Sequence, residues 1–566
     1  MPARPKNCIA LTSAWYAGGM TVQHYSRRPR RRSRRKPVMW ALAVILLCAA
    51  AAAAALLAWP EVGLGADSEA LAAVEQPTYA GSIEQVVVHT SSGKAIAVDL
   101  RNGQLWPRKA VRAGEPLTVD VTVKRPAWAG WLVGHTAHTT FHVVTPSAAL
   151  RGRWLEVPAG QPVTVSFDHP VQRVVLRDQN GPRTLRLANP RTNVSLGVVA
   201  SGARSAGIVI LRAAPRRWEQ LSQPARVSWF PARSRVQALV QPKQDELLSP
   251  DGAITVTLSR PTATALGSAM PTITPAVPGH WRQLDTHTVS FVPTGLGFPL
   301  SSHVEVRLPA QVDVTGATGV GEHATRTLTW EVRHGTVLRL HQLLAQTGYL
   351  PVDWSSSGTP VARTAAAQVA AVSDPPAGHF SWPYAATTPK ELKGIWRTFE
   401  WNEITRGAVM MFEHDHNLEV DAFVGPKVWH ALLADALAGK RRTDGYSYVY
   451  VHRNVPQLLT LWHDGKTILT SPGNTGVPAA PTELGTFPVF EHIPVGTMSG
   501  TNPDGSHYND PGIRWISYFN HGEALHAFPR ASFGTPQSLG CVELPLAAAA
   551  KVWPYTPIGT LVTVEN

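Results

Sequence analysis

Gln537-Ser538-Leu539-Gly540-Cys541-Val542-Glu543-Leu544 is the stretch whose reading decides what this chain is. The chain has three cysteines, and Cys8 and Cys48 lie at or inside a basic and apolar N-terminal segment. The remainder therefore holds one thiol and cannot form an internal disulfide. In an oxidising compartment a lone thiol is a liability unless it is buried or used. One reading is a buried core cysteine; the other is a nucleophile. The surroundings favour the nucleophile. His526 stands fifteen positions earlier, in Leu525-His526-Ala527-Phe528-Pro529, and can return to the cysteine across a strand and a loop. A thiol needs such a partner, because the thiolate is the reactive form and an imidazole can take the proton. Gly540 allows a tight backbone beside the sulfur, and backbone N–H groups there can hold the oxyanion of a tetrahedral intermediate. His521, in Asn520-His521-Gly522, competes for the role of base; its alternative reading is an exposed turn residue.

At these residues the chain resembles the L,D-transpeptidase catalytic domain, the YkuD family, which carries a histidine followed by a Ser-x-Gly-Cys signature. His526, Ser538, Gly540 and Cys541 match it one by one. The likeness extends upstream through Tyr448-Val449-Tyr450-Val451, Asn474-Thr475-Gly476, Pro481-Thr482 and Gly485-Thr486-Phe487, which read as the family's opening strands and turns. The order, histidine before cysteine, separates it from the NlpC/P60 peptidases. Two positions depart from the pattern. Leu539 stands where many members have His. Glu543 stands where many have Arg or Asn, so a contact that an Arg would make to a substrate carboxylate is in doubt.

The first 37 residues hold ten Lys/Arg and no acid, and Val38 to Trp59 then runs without a charge. Twenty-two uncharged residues suffice for a membrane helix, and the basic flank places the N-terminus in the cytoplasm. A cleaved signal peptide is the alternative, and Met20 is a second candidate start. The formal net charge of +13 is therefore local, leaving +3 beyond residue 37, and a nucleic-acid partner is not expected.

With 45 Gly and 47 Pro, turns are frequent and a β-rich architecture is favoured. Leu117, Val119, Val121 and Val123 alternate with Thr118, Asp120 and Thr122, and Ile254, Val256 and Leu258 repeat the pattern after Pro250-Asp251-Gly252. Residues 244–335 resemble bacterial Ig-like domains at Pro275, Gly279-His280-Trp281 and Phe291-Val292-Pro293. Trp128 and Trp131 are either a ligand platform or packing residues. From 336 the period turns helical: Val337, Leu340, Leu343 and Leu344; Ile404, Ala408, Met411 and Phe412; Val428, Leu432 and Ala436. Gly348-Tyr349-Leu350-Pro351 and Val424-Gly425-Pro426-Lys427-Val428-Trp429 resemble the three-helix peptidoglycan-binding domain. The Pro/Ala/Ser-rich insertion at 352–388 reads as a mobile loop or a spacer. His414, Asp415 and His416 lack a second half for a zinc site.

The expected fold class is multidomain: an N-terminal transmembrane helix, Ig-like β-sandwich domains, a small three-helix domain and a C-terminal mostly-β catalytic domain. The expected boundaries are a basic segment 1–37, a membrane helix 38–59, a linker 60–78 and one or two β-rich domains over 79–243. An Ig-like sandwich follows over 244–335, then a peptidoglycan-binding-like helical domain over 336–440 and the catalytic domain over 445–566. The resemblance implies a cell-wall L,D-transpeptidase with Cys541 as nucleophile, His526 as general acid/base, and Ser538 and Gly540 shaping the site. Its partners would be donor and acceptor stem peptides of peptidoglycan, with carbapenems as inhibitors and one N-terminal helix in the membrane; no cofactor or metal is implied. The alternatives are an L,D-carboxypeptidase and a non-catalytic wall-anchoring protein. The catalytic region is expected outside the cytoplasm, in the wall.

Overall fold

A computed structural model describes residues 36–57, 59–178, 181–200, 206–315 and 326–566. The chain divides into two compact units. The first comprises residues up to Pro146 together with Arg216–Gln220. It begins with a helix, Lys36–Leu57. Among the described residues, however, no helix is long and apolar enough to cross a membrane, which corrects the expected transmembrane helix. Much of the second half of Lys36–Leu57 is a run of alanines, which are only mildly apolar.

Beyond it lie two four-stranded sheets. One runs Gly63–Gly65, Ala72–Glu75, Gln104–Pro107, Val98–Arg101; the other runs Ala95–Ile96, Ser82–Thr90, Pro116–Lys124, Thr136–Val144. In Pro116–Lys124 the residues Leu117, Val119, Val121 and Val123 are buried and join one core with Val88 and Leu105. Successive side chains of a strand point to opposite faces, so only one face of this strand reaches that core. Trp128 and Trp131 are exposed.

The second unit holds Ser147–Pro215 and Leu221–Asn566. Its first sheet has five strands, with the long Gly181–Val199 and Pro162–Asp178 pair at one edge and Gly207–Ala214 in the middle. Next, a five-stranded sheet (Gly279–Asp285, Thr288–Pro293, Ile254–Leu258, Val236–Gln241, Val312–Val314) and a three-stranded one (Thr272–Thr274, His303–Arg307, Thr327–Glu331) share a core. That core includes Val256, Phe291, Val306 and Trp330.

Between residues 336 and 440 the described chain forms five helices and a two-stranded hairpin, not three helices. The hairpin Asp353–Ser356 with Gly378–Ser381, and the helix Ala365–Ser373 between its strands, occupy the segment read as a mobile loop. Composition hid them. The helix is Ala-rich, but Thr364 caps it, accepting from the Ala367 N–H at 3.3 Å. Gln368 on its buried face accepts from the buried Arg339 guanidinium at 2.6 Å.

The C-terminal region has two sheets. The first is ordered Lys466–Pro472, Leu458–His463, Ser447–His452, Leu561–Glu565, Gly485–Pro488. The second is Glu491–Thr501, His507–Asn520, Glu523–Ala527, Val542–Leu544. Val449, Val451, Leu459, Val562 and Val564 of the first pack on Phe519, Leu525, Val542 and Leu544 of the second. The alternate residues Tyr448, Trp462 and Leu561 face the other way. They share a core with Leu343, Ile404, Phe412, Trp429 and Leu432 of the helical segment. Helix Glu403–Asp415 meets the sheet at Gly407, where an added Cβ would strike the carbonyl oxygen of Gly559.

Candidate active site

Two adjacent strands position the residues singled out as nucleophile and base: one carries His526 and the other starts directly after Cys541. Glu523–Ala527 and Val542–Leu544 pair in parallel, with Leu525 opposite Val542, His526 opposite Glu543 and Ala527 opposite Leu544. Residues in register share a face, so His526 and Glu543 point the same way. Cys541 directly precedes Val542. Its thiol lies against the start of the histidine strand, with Sγ donating to the Gly522 carbonyl at 3.6 Å. Local chemistry builds this arrangement. The strand residues Leu525 and Ala527 go to the apolar core while His526 takes the other face.

The Ser538–Cys541 turn is held by its own side chain. Ser538, buried, donates from Oγ to the Cys541 carbonyl at 2.6 Å and accepts from the Gly540 N–H at 3.3 Å. Gly540 sits at φ +110°, which a residue with a Cβ adopts only under strain, and an added Cβ would lie 3.2 Å from Glu523 Oε1. Ser538 and Gly540 therefore fix the backbone that leads into Cys541, and the Gly540 N–H is directed to Ser538. Leu539 is exposed at the tip of this turn.

A strap from the first sheet clamps the turn. Asn474 exchanges both backbone hydrogen bonds with Glu543 at 2.9 Å, and its Oδ1 accepts from the Gly534 N–H at 2.9 Å. The Thr475 carbonyl accepts from Gln537 and Ser538, and Gln457 in turn holds Thr475 through both ends of its amide.

The electrostatics are those of a neutral resting pair. Burial pushes the Cys541 thiol up to about 12; the Ala524 N–H works against this, and Glu543 and Glu523 add to it. Burial also lowers the pKa of His526, with its hydrogen bond to Ala527 and the Glu543 charge opposing. The His526 ring is 3 % exposed. Its Nδ1 lies 3.0 Å from the Ala527 carbonyl, which can only accept, so Nδ1 carries the proton and Nε2 is left as the basic nitrogen. His521 occupies the turn before the strand, exposed and at φ +43°.

The long hairpin Glu491–Thr501 with His507–Asn520 covers the thiol. Ile493, Met498, Ile513, Ile516 and Tyr518 form one apolar cluster with Ala524, Phe528 and Cys541. Burial raises the pKa of Tyr508 and Tyr518, and Cys541 acts in the same direction on both.

The sequence did not single out Arg530. Its Nε and Nη2 donate to Glu543 Oε2 and Oε1 at 2.8 and 2.7 Å, a bidentate pair that accounts for a buried acid at position 543. The signal available was the departure at Glu543, an acid two residues after the cysteine that calls for a cationic partner, with Arg530 thirteen residues earlier as one that could supply it. No group of His, Cys, Asp and Glu among the described residues could hold a metal ion.

The family described as the L,D-transpeptidase catalytic domain, YkuD, matches residues 394–564. No curated protein matches the sequence. Among solved structures, an L,D-transpeptidase from Mycobacterium smegmatis is 13% identical over 59% of this chain and 100% of its own, with a TM-score of 0.20. The catalytic domain of the E. faecium L,D-transpeptidase is 24% identical over 22% of this chain and 100% of its own, with a TM-score of 0.20. L,D-transpeptidase 3 from Mycobacterium tuberculosis is 13% identical over 58% of this chain and 98% of its own, again at 0.20. The family match begins at 394, inside the helical segment, and so takes in the two helices Glu403–Asp415 and Pro426–Ala438 that pack on the sheet. Residues 394–564 form an L,D-transpeptidase catalytic domain of the YkuD family, and the protein is a cysteine-dependent L,D-transpeptidase.

Proposed function

We propose that the enzyme acts on peptidoglycan stem peptides in the cell wall, outside the cytoplasm, with Cys541 as nucleophile and His526 as general acid/base. The observation that carries this reading is the His526 tautomer: Nδ1–H is committed to the Ala527 carbonyl, leaving Nε2 free to accept the thiol proton. The resting thiol is protonated, so proton transfer accompanies attack. The Cys541 proton moves to His526 Nε2 as the sulfur bonds to the scissile carbonyl carbon. Collapse of the tetrahedral intermediate breaks the C–N bond, and the imidazolium returns its proton to the departing amine. The thioester conserves the acyl group's reactivity where no nucleotide is at hand. An amine of a second stem then attacks, His526 accepting its proton and passing it to the thiolate as the sulfur leaves. The product is a cross-link.

Water in place of the amine gives an L,D-carboxypeptidase. Tyr518, Met498 and Phe528 around the sulfur supply apolar cover that disfavours water, which supports the transpeptidase outcome. Relatives described as an imipenem complex and as a faropenem-derived adduct support carbapenem acylation of Cys541 here. Mass spectrometry of muropeptides incubated with the protein tests the reading. Cross-linked dimers are expected from the native protein and none from Cys541→Ala. Dimers formed by Cys541→Ala, or only trimmed monomers from the native protein, would overturn it.

A further inference from the structure

We propose that Arg530 receives a substrate carboxylate lying within one residue of the scissile carbonyl, and that Glu543 is its positioning residue. The proposal rests on the stem-peptide reading above, since such a peptide ends in a carboxylate.

The electrostatic problem comes first. The charges that act on the thiol are Glu543 and Glu523, and Asp510 acts on His526. Glu543 is paired with Arg530, so Glu523 and Asp510 are the acids left to repel an anionic peptide end unless a cation meets it. Among the described residues, the cation acting on His526 is Arg530.

The geometry then fits the task. Arginine presents five N–H donors in a rigid plane. In Arg530 the Nε and Nη2 edge is taken by Glu543, and Nη2 also donates to the Gln537 carbonyl at 3.2 Å. The guanidinium carbon lies 4.6 Å from the centre of the Phe528 ring, so the plane is supported from one face. No hydrogen bond to Nη1 exists among the described residues. The Arg530 side chain is 31% exposed while Glu543 is buried, so it is the arginine through which solvent reaches the pair. Because Glu543 is opposite His526 in the strand register, its partner is held close to the base rather than at a distant rim. An acid at 543 cannot itself bind a carboxylate. It fixes an arginine from another loop, and the binding edge is supplied from there.

Two carboxylates answer to this description: that of the leaving terminal residue, and one on the side chain of the residue donating the carbonyl. Three soluble donors distinguish them: a tetrapeptide with both carboxylates free, its terminal amide, and its side-chain amide. The purified full-length protein should prefer the free form over one of the amides. Arg530→Gln should lower kcat/KM on the free form roughly ten- to a hundredfold, mainly through KM, and leave that amide unaffected. Arg530→Lys should recover part of the preference. Because a single change leaves Glu543 buried and unpaired, Arg530→Gln with Glu543→Gln serves as the second variant; it should fold and show the same lost preference. Equal ratios of free to amidated donors in native and variant proteins would overturn the proposal, because a purely structural pair would lower all three donors alike. Failure of the native protein to turn over any tetrapeptide would instead remove the substrate reading beneath it.

Discussion

The two faces of the sheet built on Ser447–His452 are both buried but serve different ends. On one face Val449, Val451, Val562 and Val564 carry the layer that holds His526 and the Cys541 turn. On the other, Tyr448, Trp462 and Leu561 disappear under helices from the preceding hundred residues. The first face bears chemistry and the second bears stability. A boundary drawn at 440–445, where the period of the sequence changes from helix to strand, would therefore strip one face of a single sheet. The helices belong to the catalytic domain's core, in keeping with a family match that starts at 394.

Separating the faces physically should have the largest effect. A fragment starting at residue 440 would expose Tyr446, Tyr448, Trp462 and Leu561, each fully or nearly buried in the chain. At about 1.5–3 kcal/mol per large apolar side chain, this exceeds a large part of the 5–15 kcal/mol that holds a typical domain. Circular dichroism should show an unfolded or aggregated fragment without activity on small peptides. A fragment beginning near 336 should fold. A folded, active 440–566 fragment would break the comparison.

The chemical face is sharpened by His526→Ala, which should lower turnover by about 10²–10⁴ with little change in melting temperature. His521→Ala should leave turnover nearly intact, since that ring lies exposed on a turn. The native pH profile follows from the same burial. His526 works as the neutral base and its pKa is lowered, so activity is lost as pH falls through a value below the roughly 6.5 of a free histidine. With the thiol pushed up to about 12, kcat/KM should stay flat from neutrality to pH 9. An acid limb above 6.5 would mean that the ring is not buried as described.

The helical face is probed by Gly407→Ala. In an open helix this change stabilises by up to about 1 kcal/mol. Here the new Cβ meets the Gly559 carbonyl, and overpacking costs about 1–3 kcal/mol. Chemical denaturation should show a net loss while kcat of the folded enzyme is unchanged. A gain in stability would show that helix and sheet are not in close contact.

Legibility followed burial. Leu117, Val119, Val121 and Val123 were readable because their strand sends one face to a core and its alternate residues elsewhere. Ser447–His452 also read as a strand, but both its faces are buried, so nothing in its pattern says that one of them needs helices. The segment 352–388 was misread because alanine and proline count little toward periodicity, whereas Gln368 and Val369 pack through contacts with distant residues. The membrane helix was read from an absence of charge over Val38 to Trp59, and no helix among the described residues has the length and apolarity it requires.

By itself the sequence determined the reactive types and their order: one thiol beyond the N-terminal segment, a histidine before it, and a Ser-x-Gly turn whose glycine permits the φ of +110°. These are local properties, written in residue identity and short spacing. Only the tertiary structure decided which groups meet. The parallel register that sets His526 beside Glu543, the Arg530 pair that makes a buried acid tenable, and the helices over the outer face all depend on contacts between distant segments. Such contacts leave no period in the chain, because each partner's pattern looks complete without the other.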